Sequence, residues 1–311
     1  MVWGLLASLF GRNRLPRDRP TRISGAAKKA GAPHVAAMQE AIDRLAALEG
    51  LADIANTKRI PKGFHEAIRD LQRAHDQYIA AVAEVMGLSA AIRPGTPEGQ
   101  ACCREAPLGV TAAEGIVLYR TLRTWPDFPD VAKRLAEAGE LLFEDIKAHH
   151  KGKDLEKVRM GGKAVLEGRK AFAARGLPCP LLDGKGRCRA WDVRPQSCRM
   201  HHVRSGPETL DPASEAHAKI DVVNLRIPVR QQVALMQVEK RMLLQASPFL
   251  HANIMQLAQI TQGDQLYEVG EAPLRFGPDG AALGRANRNK PGAKKYKGKG
   301  KGGKAKGKGR R

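Results

Sequence analysis

Five cysteines stand in only two places in this 311-residue chain, and that distribution restricts the fold more than any other feature. Cys102 and Cys103 are adjacent, and Cys179, Cys188 and Cys198 fall within the 24 residues 179–202. Pro178 and Pro180 flank the first of the trio, so the chain there is extended and not mid-helix. Asp183-Gly184-Lys185-Gly186 has the composition of a tight turn, which returns Cys188 toward Cys179. Arg194-Pro195 forces a second extended step before Cys198. Three thiols on three loop arms can therefore converge on one point. Three do not close a tetrahedral structural site, which takes four nitrogen or sulfur ligands. Either Cys102 or Cys103 is the expected fourth, because adjacent side chains diverge and one of the pair is then spare. His201 or His202, just after Cys198, is the nitrogen alternative. No C-x2-C knuckle is present, so buried thiols acting as small hydrophobes are the competing reading. A disulfide requires an oxidising compartment, which nothing in the sequence indicates.

The segment CPLLDGKGRCRAWDVRPQSCRMH resembles the signature of the YkgJ-type cysteine-cluster family, the zinc- or iron-chelating domain proteins. Cys179, Pro180, Leu182, Cys188, Arg194, Pro195, Cys198 and Arg199 match that pattern, and Ala190-Trp191 replaces its usual aliphatic-Tyr pair. The upstream part matches too, through Cys102-Cys103-Arg104 and the helix start Thr111-Ala112-Ala113-Glu114. Residues 95–101 contain none of the further cysteines that family members carry before the pair. The resemblance spans residues 100–202. It implies a bound Zn or Fe, or an Fe–S cluster, with Cys102, Cys103, Cys179, Cys188 and Cys198 as the metal ligand set. One relative in the family is an iron-dependent flagellin lysine methylase. Arg194 and Arg199 are the candidate cofactor-binding side chains, able to donate hydrogen bonds to thiolate sulfur or neighbouring carbonyls.

The remainder of the chain reads as mainly α. Apolar content is 42% with only 5% aromatic, so Ala, Leu, Val and Ile must build the core. Apolar positions recur at spacings of three and four from Val35 to Leu51 and from Phe64 to Val85, which predicts an antiparallel helical hairpin after Pro33. Thr111-x-x-Glu114 is a capping box opening a helix that Pro126 stops. Further helices are expected after Pro129, across 154–175, after Pro228 and after Pro248. Residues 222–229 are the one strand-like stretch, while 205–219 and 265–283 read as irregular. The expected organisation is a basic N-terminal linker (1–33), an irregular helical domain with a loop-rich cysteine-cluster site (34–283), and a disordered Lys/Gly-rich tail (284–311). Met1 to Phe10 is apolar, but too short to span a bilayer and without the order of a secretory signal. These features point to a cytoplasmic setting.

The formal charge is +21, and residues 285–311 hold 13 Lys or Arg with no acid, leaving +8 for the rest. Such a tail binds polyanions (RNA, DNA or the ribosome) through counterion release. Phosphate-binding glycine loops, H-E-x-x-H and G-x-S-x-G are absent. Three function classes follow: a metal-binding protein whose metal is mainly structural, an iron-dependent metalloenzyme with an open ligand position, and a nucleic-acid-associated protein acting through its tail.

Overall fold

A computed structural model describes residues 15, 18–150, 162–244, 246–261, 266–272, 274–277 and 282–285. The Met1–Phe10 stretch, residues 151–161, in which the helix expected across 154–175 begins, and nearly all of the basic tail lie outside them. The described chain is mainly helical, as its periodicity predicts.

The first helix, α1 (Gly25–Ala46), pairs with α2 (Phe64–Val85) as the expected hairpin. On α2 the residues Phe64, Ile68, Leu71, His75, Tyr78, Ile79 and Val82 are buried, a stripe at helical spacing. The start of α1 corrects the sequence expectation, since the helix runs through Pro33 rather than beginning after it. Ser24 caps it by accepting the Ala27 N–H at 3.2 Å. Ala27 and Gly31 are buried, with Gly31 pressed on the Tyr78 ring. Pro33 is exposed, so water can satisfy the carbonyl its ring leaves unbonded. The preceding residues are tied down as well. Thr21 Oγ1 accepts the Asn224 N–H at 2.8 Å, and the Arg19 carbonyl accepts from Asn224 Nδ2 at 2.5 Å. The described part of the expected linker is thus docked, also through the Asp18–Arg169 ion pair and the buried Leu15 side chain.

Helix α3 (Ala112–Leu122) is the central element, with ten of its eleven residues buried. Its capping box forms as predicted. Helices α4 (Phe128–Ala148) and α5 (Lys163–Ala174) make a second hairpin around Leu142, Ile146, Val165 and Phe172. Helix α6 (Val229–Arg241) lies against α1, and α7 (Leu250–Ile260) packs on α3 and α4. Three two-stranded pieces complete the described chain. β1 (Arg59–Ile60) pairs in parallel with β4 (Tyr267–Glu268), and β2 (His201–Val203) is antiparallel to β3 (Val222–Asn224). β5 (Leu274–Phe276) is antiparallel to β6 (Ala282–Arg285). The stretch read as irregular at 265–283 therefore supplies strands, and the strand expected at 222–229 is shorter and has its partner in the double histidine. Among the described residues no helix is long and apolar enough to cross a membrane.

Candidate metal centre

The cysteine loop folds by local rules that its sequence carries. Asp183 Oδ1 accepts the N–H groups of Lys185 and Arg187 at 2.8 and 2.9 Å, and Asp183 N–H donates to Arg187 O at 2.8 Å. This turn brings Leu182 into antiparallel pairing with Cys188, while Leu182 N–H donates to Cys179 O at 3.0 Å. The expected return of Cys188 toward Cys179 is thus formed. Cys188 N–H in turn donates to Gly95 O at 2.9 Å. Gly95 has φ +84°, and a Cβ there would stand 3.0 Å from Cys188 Cβ, so only glycine fits.

Cys198 sits on a short helix, Gln196–Arg199, that follows Pro195. Glu114 holds the start of that helix. Its Oε1 accepts the Gln196 N–H at 2.7 Å, while Oε2 accepts from Thr111 N–H at 3.2 Å and Thr111 Oγ1–H at 3.0 Å. One buried carboxylate therefore caps α3 and positions the Cys198 turn. Burial raises its pKa, and the donors from Gln196 and Thr111 oppose that rise.

The cysteine pair rides on a 3₁₀ turn, Gln100–Arg104. Just beyond it, Ala106 O accepts from buried Arg169 of α5, at 3.3 Å from Nε and 3.0 Å from Nη2. Gly109 and Val110 N–H groups donate to Pro248 O at 2.9 and 3.0 Å. These bonds fix the path that delivers Cys103.

Cys103, Cys179, Cys188 and Cys198 all line one cavity of about 30 Å³, with Gly95 and Arg194 also in its wall. The trio and one member of the doublet, distant in sequence, thus border the same cavity. Of the candidate ligands Cys102 is the one placed elsewhere: it is buried with Val203 and Leu210 in a separate apolar cluster. Successive side chains of a 3₁₀ turn point about 120° apart, so the pair cannot share a target. All five cysteines are thiols. Burial pushes the Cys188 thiol up, against the Ala190 N–H and the charges of Arg194 and Arg199, which favour the thiolate. Among the described residues no three His, Cys, Asp or Glu side chains already stand in a metal-holding arrangement. The four cysteines share a wall rather than a closed coordination shell. Their chemistry nevertheless suits zinc or iron, which take thiolate donors, and the cavity has room for about one water-sized body.

The two histidines stand outside the cavity wall, while the two arginines donate to neighbouring carbonyls, one of the two contacts expected of them. His201 and His202 lie in β2 and are buried outside the cavity wall. His201 Nδ1 is hydrogen-bonded to Asn224 Oδ1, and His202 is held neutral to about 4, by burial first and then by Arg93. Arg199 is not part of the cavity wall. It donates through Nε to Arg194 O at 2.7 Å and through Nη2 to Asp192 O at 2.8 Å, and it pairs with Asp76. It stiffens the loop through carbonyls. Arg194 lines the cavity itself, with its guanidinium 3.3 Å from the Trp191 ring centroid. Sequence reasoning did not single out Gly95 or Arg93, or the second bond of Glu114. Only the Gly following Pro94 hinted at a turn there. In comparisons with known proteins, no family model, curated protein or solved structure matches the chain.

Proposed function

We propose that the protein binds a single zinc or iron ion through Cys103, Cys179, Cys188 and Cys198, and that the metal is chiefly structural. The observation that carries this reading is the shared cavity lined by four cysteines from two distant segments. A bound ion would supply folding free energy by stapling the 179–198 loop to the 100–104 turn. The small cavity and the absence of further cysteines at 95–101 favour one ion over an Fe–S cluster. The sequence resemblance to the YkgJ-type family agrees with this assignment.

The test is elemental analysis and visible absorption of protein purified without oxygen. One Zn or Fe per chain is expected. Cys188→Ser and Cys103→Ser should each abolish stoichiometric metal, and Cys102→Ser should retain it. Full metal content in both of the first two variants would end the proposal. A brown product with several irons per chain would shift the assignment to cluster chemistry and an enzymatic role.

The composition of residues 285–311 favours a second, separable activity, sequence-independent polyanion binding. Deleting those residues should remove salt-sensitive retention on heparin and leave metal content unchanged.

A further inference from the structure

We infer that Arg194 and Arg93 are the counter-ions of the thiol cavity, which makes it a site for a dianionic complex, a divalent ion held by four thiolates. This rests on the metal-binding reading above, and it adds the charge state of the complex and the residues that balance it.

Arg194 is 3% exposed. Its Nη1 donates to Pro94 O at 3.3 Å, and its buried Nε has no hydrogen-bond partner among the described residues. Arg93 is half-buried, donates through Nη2 to Arg199 O at 3.4 Å, and has an Nε in the same condition. Both guanidinium groups lie against Trp191, at 3.3 and 5.4 Å from its ring centroid. Neither makes an ion pair among the described residues. Arg199 differs, because its guanidinium is committed to two carbonyls and to Asp76. Asp76, already paired there, is the one carboxylate acting on Arg93 and Arg194. A buried positive charge on the cavity wall, and a half-buried one beside it on Trp191, are thus left without a hydrogen-bonded acid.

An unpaired buried guanidinium is unfavourable unless something anionic faces it. On this cavity wall the groups able to become anionic are the thiols. The electrostatics run both ways: Cys198 favours the charge of Arg194, and Arg194 favours the thiolate of Cys188. A divalent cation with four thiolates carries a net charge of −2, equal and opposite to the two unmatched guanidinium charges. The free Nε–H of Arg194 is the natural donor to a coordinated sulfur, the kind of outer contact that tunes metal affinity. Arg194 and Arg93 are in this sense positioning residues rather than ligands.

The experiment titrates metal-free, full-length protein with Co²⁺ without oxygen, in competition with a chelator, and follows the thiolate-to-cobalt charge-transfer band. Arg194→Met and Arg93→Met should each weaken Co²⁺ binding by about 10- to 100-fold, and Arg194→Lys should recover most of the loss. Lys keeps the charge but loses the flat stacking on Trp191, so a purely structural role would show no rescue. It would also lower the melting temperature of the metal-free protein equally in the Met and Lys variants. Should Arg194→Met not fold, Arg93→Met decides. Co²⁺ affinities for both Met variants within about threefold of wild type would overturn the inference and leave the metal site standing. A wild-type protein with no thiolate–cobalt band would overturn the metal reading, and this inference with it.

Discussion

His75 and His251 are enclosed so fully that protonation and folding compete. His75 stands against Leu225 O at 2.9 Å, and His251 lies beside the Phe172 ring. Burial lowers each to about 4, well under the ordinary histidine value. The unfolded chain therefore binds protons that the folded one refuses between pH 6.5 and 4. Stability from these groups is full above about pH 6.5 and is lost as the pH falls toward 4. For His251→Gln, the destabilisation relative to wild type should shrink by about 1–2 kcal/mol between pH 7.5 and 5, measured by urea unfolding. A gap independent of pH would show that His251 takes up its proton as readily in the native state as in the unfolded chain. At this scale the thiols, the Asp183 turn and the Thr111 capping box were legible, because each is set by neighbours within four residues. Gly95 and Arg93 were not, since their partners at Cys188 and Trp191 lie about a hundred residues along the chain.

The α4–α5 hairpin shows what two helices need in order to touch. A Cβ on Gly168 would lie 2.5 Å from Ile146 Cα and 2.6 Å from its N, both backbone atoms that cannot swing aside. Gly168→Ala gains up to ~1 kcal/mol of helix propensity. The overpacking it forces costs about 1–3 kcal/mol, and with backbone as the obstacle the upper part of that range applies. The variant should melt lower than wild type by calorimetry, and an equal or higher melting temperature would refute the contact. Helix positions followed from apolar periodicity, which survives wherever one face meets the core. The short strand pairs did not follow from it. His201–Val203 is fully buried and shows no alternation, and β1 and β4 are two residues each. The start of α1 was hidden by Pro33, whose rule against helix interiors gives way where the freed carbonyl meets water.

At the scale of the whole molecule, a metal that binds only the folded state must add to stability by mass action. At a thousandfold excess over its dissociation constant that addition is about 4 kcal/mol, or roughly 5–15 °C in melting temperature for a domain of this size. Stripping the protein with a chelator should lower the melting temperature by that amount, and zinc or iron should restore it. An unchanged melting curve after complete metal removal would show that the ion is not structural. Counting donors in the sequence pointed to one place for the trio and a member of the doublet, and Cys103 does border one cavity with the trio, while which member of the pair stands there is decided by the turn. The cavity wall also includes Leu250 at the start of α7, contributed from far downstream. During synthesis, a ribosome will have released the first thiol long before the last wall residue leaves its exit tunnel. Enclosure of this pocket is therefore a late event in the life of the nascent chain, and fragments ending before residue 250 should leave their sulfurs open to oxidants.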